Sequence, residues 1–251
     1  VLPGADHIAA WNGSHWSALG HISNGPMANG YGSSRVNAIL VNGTDVYVGG
    51  LFTNVANQGV NIPEADFIAK WDGANWSALG SDGNGNGSLN YAVTSLAMIG
   101  TDLYVGGGFS NVNNNGTTLT AADYVARWDG TNWHALSSNG AGNGAIPGYA
   151  SVSALAVSGT TLYVGGNFTD VNDNGVVLAA ADRLASWNGT HWSAVGNNGA
   201  GDGAIGNGAV IALAVSGSTL YVGGSFTDVN DGGAVLGAAD YIAAWDGAHW
   251  T

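Results

Sequence analysis

The chain has 251 residues, a formal net charge of −13, no cysteine, and four basic residues (Arg35, Lys70, Arg127, Arg183) against seventeen acidic ones. That length suffices for a core without staples, the missing thiols exclude disulfides and thiolate chemistry, and the acidic balance argues against nucleic acid as a partner. Charged residues make up 8%, against roughly 25% in ordinary soluble domains, so Asn, Gly, Ser and Thr carry solubility and close self-association is tolerated.

The opening "VLPGADHIAA" lacks the basic-then-apolar layout of a secretory signal, and no apolar run reaches the length of a membrane span. If exported, the protein is expected here in processed form or as an excerpt. The first predicted element is a hairpin within residues 1–35, "IAAWNGSHWSALG", whose two short strands meet at Asn12-Gly13. Four fuller periods follow, at 36–92, 93–151, 152–209 and 210–251, and together the chain reads as one repeat domain.

Each full period carries four strand signals. In the third, strand a is "VSALAVSG" (152–159) and strand b is "TLYVGGNF" (161–168), joined by a tight Gly-Thr turn. Strands c and d, "RLASW" and "HWSAVG", meet at Asn188-Gly189. The unit predicted is a four-stranded antiparallel meander. Two motifs mark the register: W-[DN]-G-x-x-W opens at Trp11, Trp71, Trp128, Trp187 and Trp245, and [LV]-Y-V-G-G at Val46, Leu103, Leu162 and Leu220. An aspartate leads each c strand, at Asp6, Asp66, Asp123, Asp182 and Asp240, with spacings of 60, 57, 59 and 58.

All ten tryptophans fall in the c–d hairpins, as the pairs Trp11/Trp16, Trp71/Trp76, Trp128/Trp133, Trp187/Trp192 and Trp245/Trp250. Strand parity puts both members of a pair on one face. Burying an indole gains about 4–6 kcal/mol gross, so an inter-sheet core is the first reading of these faces. Stacking on sugar rings is the second.

The string "LYVGGNFTDVNDNG…ADRLASWNGTHWSAVG…VIALAV" resembles the Rax2-like repeats of bacterial secreted and surface proteins that form β-propellers, across essentially the whole chain. The resemblance implies an all-β, β-propeller-like array of four-stranded antiparallel blades, here four full repeats of 57–60 residues plus an N-terminal partial one. It implies an extracellular or cell-surface location and nothing specific about activity.

Written as strands, the chain is c-d followed by a-b-c-d four times, with the last d cut to "HWT". This reads either as an excerpt of a longer protein or as an open edge. The spare d strand of the first hairpin, from Trp16 to Gly20, would fill that edge by closing a ring or by joining a neighbouring copy. The duplicated c strand leaves a closed four-membered ring with one hairpin too many, which favours assembly with a second copy.

Between strands b and c lies a predicted loop of about fifteen residues. In the third repeat Asp170, Asn172, Asn174 and Gly175 match D-x-[DN]-x-[DN]-G, the opening of a calcium loop, with Asp182 one position beyond the expected closing ligand. Calcium is the one cofactor this suggests; Asx-turn chemistry is the alternative. The Gly-rich d–a segments, such as 197–208, read as flexible connections. Seven Asn-x-Ser/Thr sequons, at Asn12, Asn42, Asn75, Asn86, Asn115, Asn167 and Asn188, are candidates for glycosylation.

Catalysis finds little footing. His15, His191 and His249 stand where sister repeats have Asn75 and Asn132, so they read as interchangeable turn residues. The repeated aspartates are expected to accept backbone N–H bonds at the strand entrance. Arg35, Glu64 and His21, which break the repeat, form no constellation. The expectation is a non-enzymatic structural or adhesive scaffold that self-assembles into a homo-oligomer or filament. The alternative is a multivalent, lectin-like binder of glycans.

Overall fold

The computed structural model describes residues 5, 7–20, 26–27 and 34–251; Asp6 and His21 lie outside them. The described chain is all β, with 25 strands and no helix. It opens with an antiparallel hairpin of β1 (Ala9–Trp11) and β2 (Trp16–Ala18), in which Trp11 faces Trp16 across a four-residue loop.

Sheet I follows. It takes β3 (Arg35–Asn42) and β4 (Asp45–Leu51), lets a side hairpin of β5 (Val55–Asn57) and β6 (Val60–Ile62) project, and closes with β7 (Ile68–Trp71) and β8 (Trp76–Ser77). Sheet II repeats the plan with β9 (Val93–Ile99), β10 (Asp102–Gly107), side strands β11 (Val112–Asn114) and β12 (Thr117–Leu119), then β13 (Val125–Trp128) and β14 (Trp133–Ala135). Sheet III has β15 (Val152–Ser158), β16 (Thr161–Gly166), side strands β17 (Val171–Asp173) and β18 (Val176–Leu178), then β19 (Leu184–Trp187) and β20 (Trp192–Ala194). Sheet IV has β21 (Val210–Ser216), β22 (Thr219–Gly224), side strands β23 (Val229–Asp231) and β24 (Ala234–Leu236), and β25 (Ile242–Trp245).

In every full sheet the order is a-b-c-d and each neighbour is antiparallel, as the meander reading requires. The a–b turns place Gly43, Gly100, Gly159 and Gly217 at φ near +60°, the first central position of a two-residue type II′ hairpin. Sheet IV has three named strands, yet its closing edge is occupied. Trp250 bridges Trp245, and Thr251 exchanges backbone hydrogen bonds of 2.8 and 2.9 Å with Ala244. The open edge expected beside β25 is therefore covered by the chain's own residues, and β8 of sheet I is equally short.

The b–c segment is not the plain loop the sequence suggested. It is a second two-stranded hairpin whose turn pairs, Gln58-Gly59, Asn115-Gly116, Asn174-Gly175 and Gly232-Gly233, all have positive φ. Two successive left-handed residues make a type I′ turn, which is why Asn-Gly recurs there. The d–a segments are built as well. Asp82, Asn139 and Asn198 each accept two backbone N–H groups through Oδ1. Gly83, Gly140 and Gly199 then pack directly on the Gly116, Gly175 and Gly232-Gly233 turns.

The sheets touch in chain order, with strand a of each against strand a of the next. The apolar core lies between them in a separate cluster at each junction, with a fourth cluster between the first hairpin and sheet I. The last two glycines of Y-V-G-G have different duties. A Cβ on Gly50, Gly107, Gly166 or Gly224 would meet a backbone oxygen at the entrance of strand a at 2.0–2.3 Å, where the ladder carries a bulge. A Cβ on Gly49, Gly106 or Gly165 would strike a valine of the following sheet.

Candidate functional site

The residues that recur in every repeat converge on the junctions between sheets. Each indole pair is stacked at a tilt of 44–51°, with ring centroids 5.3–5.5 Å apart. Within each pair the d-strand member goes deepest: Trp76, Trp133, Trp192 and Trp250 are buried. Of their c-strand mates, Trp187 is buried and Trp71, Trp128 and Trp245 are half-buried. Three of the buried indoles reach back to the preceding repeat, Trp76 Nε1 to the Leu19 carbonyl (3.0 Å), Trp133 to Leu79 (2.8 Å) and Trp192 to Leu136 (2.8 Å). Trp250 Nε1 is buried and has no hydrogen-bond partner among the described residues. The exception in burial is the first hairpin, where Trp11 is 52% and Trp16 61% exposed.

The repeated aspartates act as clips. Oδ1 of Asp66, Asp123, Asp182 and Asp240 accepts the backbone N–H of Asn54, Asn111, Asp170 and Asp228, at 2.7–3.1 Å. In the first two, Oδ2 accepts the N–H of Gly87 and Gly144 from the segment leading to the next sheet. One carboxylate thus ties the entrance of strand c to the start of the side hairpin and to the segment that leads to the next sheet. The next residue takes positive φ, at Phe67, Tyr124, Arg183 and Tyr241. Two of these reach the segment that leads to the next sheet: the Tyr124 hydroxyl donates to the Gly148 carbonyl, and Arg183 donates to the carbonyls of Gly208 and Ile205.

The histidines sit in a paired substitution that sequence reading missed. In sheets I and II, Asn57 and Asn114 donate through Nδ2 to Asn75 and Asn132, and through Oδ1 accept the N–H of Trp76 and Trp133. In sheets III and IV the side-hairpin residue is Asp173 or Asp231, and the turn residue facing it is His191 or His249, at 2.8 and 3.0 Å. An Asp lacks the N–H that Asn donates, so its partner must supply one, and imidazole does. The change at position 173 explains the change at 191. His15 instead contacts Ser14 Oγ at 2.8 Å.

The calcium-like residues are drawn into this framework. Asn172 lies in β17 opposite Val177, Asn174 forms the type I′ turn, and Asp170 donates its N–H to Asp182. Burial, then the nearby Asp182 and Asp202 charges, hold the Asp170 carboxyl above its ordinary range. Among the described residues, no group of three or more His, Cys, Asp or Glu is arranged to hold a metal. Of the sequons, Asn12 and Asn188 cap their own turns, Asn75 accepts from Asn57 and Gln58, and Asn86 donates to Asp82. Asn115 stands in a type I′ turn, Asn167 accepts from the Ser151 N–H, and Asn42 ends β3 exposed.

No family model matches the sequence, and no curated protein matches it. Among solved structures, the crystal structure of the computationally designed Ika8 protein is similar at 15% identity, covering 88% of this chain and 96% of that one, with a TM-score of 0.29.

Proposed function

We propose that this protein is a non-enzymatic structural scaffold, extracellular or displayed at the cell surface, whose sheets act as blades of a propeller-type array that self-assembles or adheres. The observation that carries this reading is the use made of its repeated side chains. The buried indoles, the aspartate clips and the Asn–Asn or His–Asp pairs all serve contacts within and between repeats. Such an array is rigid and extends by adding like units. Because Thr251 already closes β25, assembly through a missing d strand is the less favoured route, and the broad faces of the sheets are the better one. Light scattering during size-exclusion chromatography, followed by electron microscopy, tests the scaffold: concentration-dependent oligomers or threads are expected, and a strict monomer at every concentration counts against it.

A single observation favours sugar binding as a second reading. Trp11 and Trp16 form an exposed stacked platform beside Asn12, Ser14 and His15. That gives one site rather than five, since the other pairs are packed between sheets. Titrating tryptophan fluorescence with mono- and oligosaccharides is expected to show quenching that Trp11→Ala removes; no response to any sugar retires the reading.

A further inference from the structure

The three sheet junctions share one device. Val93 of sheet II, Val152 of sheet III and Val210 of sheet IV each bring a methyl group to within 2.3, 2.5 and 2.4 Å of where Gly49, Gly106 and Gly165 of the preceding sheet would carry a Cβ. Each valine is a knob, and each glycine is the socket that admits it. Leu96, Leu155 and Leu213, three residues on, reach the same three sockets at 3.3–3.7 Å.

Sheets I and IV each hold half of this device without its counterpart. A Cβ on Gly223, fourth in the socket series, would find its nearest atoms on Ala212 and Tyr241, at 3.7–3.9 Å. Tyr221 and Tyr241 beside it are exposed, and Ile242 is 64% exposed where its counterparts Ile68, Val125 and Leu184 are buried. On sheet I, Val36 stands at the knob position, half-buried against the cluster beneath the first hairpin, while Ile39 and Val41 are 55% and 66% exposed. Patches of this kind on an otherwise well-packed protein mark contact surfaces.

We propose that the sheet IV face of one copy receives the sheet I face of a second copy, Val36 seating over Gly223 and Ile39 against Tyr221 and Ile242. The contact repeats, head to tail between chains, the junction built three times within each chain. This inference rests on the scaffold reading and names its interface. One element must move. The β1–β2 hairpin covers the outer half of sheet I, where its Leu19 carbonyl holds Trp76, and residues 242–251 of the incoming copy need the same place. Both carry W-[DN]-G-x-H-W, with indoles 5.4 Å apart in each. Among the described residues the hairpin pairs with no third strand, whereas β25 is registered with β22 over four residues, so the hairpin gives way. The exchange replaces one Trp hairpin by another and adds burial of Ile39 and Val41 on strand a.

Sedimentation velocity on the 251-residue chain, from micromolar to millimolar, tests this. A reversible, concentration-dependent series of species is expected. In Gly223→Val the new side chain has room in its own sheet, where a Cβ would find its nearest atom at 3.7 Å, so circular dichroism and melting stay as in the parent. The socket is filled, and association weakens by about tenfold or more. Adding Val36→Gly to Gly223→Val exchanges knob and socket and restores association. Association indifferent to Gly223→Val overturns this interface and leaves the scaffold standing; a monomer throughout overturns both.

Discussion

Trp133 and Trp250 hold the same position in two sheets and differ in one hydrogen bond, which isolates the value of the indole N–H. Trp133→Phe strands the Leu79 carbonyl, whereas Trp250→Phe removes a buried donor that has no acceptor. Packing losses being similar, urea unfolding is expected to show Trp133→Phe costlier than Trp250→Phe by about 1–3 kcal/mol. The turn carboxylates make a second contrast. Backbone N–H bonds from the following residues hold the Asp72, Asp129 and Asp246 carboxyls below their ordinary range, and His134 adds to this at Asp129. Their stabilisation is fully present above the unfolded-state pKa and is lost as pH falls through the lowered folded values. Melting temperature should therefore drop below about pH 4. The triple Asp→Asn variant should melt alike at neutral pH and show a shallower acid decline, because Asn12 and Asn188 build the same turn without a charge.

At the scale of the element, the two glycines of Y-V-G-G invite different failures. Gly106→Val drives a side chain into Val152 of the next sheet and should cost about 1–3 kcal/mol or more; Gly107→Ala forces a Cβ on the Ala92 oxygen, 2.3 Å away. Chemical denaturation of both, beside the tolerated Gly223→Val, measures the socket against the bulge. The strands of every full sheet, the tight a–b turns and the indole faces were legible from alternation and turn chemistry, because those signals are local. The aspartate clip was half legible: its acceptor role follows from Asp before a strand, but Gly87 and Gly144 lie 21 residues ahead of Asp66 and Asp123. The side hairpins were missed because three-residue strands such as Val171–Asp173 are too short to alternate visibly, and Asn-x-Asn-Gly imitates a cation loop. The socket glycines were illegible, since only a neighbouring sheet tells them from the bulge glycines.

For the whole molecule, the decisive feature is that each sheet packs on its sequence neighbours, through a core renewed at every junction. Stability is then a sum of unit and nearest-neighbour terms, and Lys70 and Arg127 sit in cross-strand pairs with Asp45 and Asp102, half-exposed, rather than in those cores. The clips and indole ties act in parallel at one junction at a time, so each set shares the load at its own junction. Stretched from its two termini in an optical trap, the molecule is expected to yield in a sawtooth, each rupture releasing one period of 57–60 residues, or about 200 Å of contour.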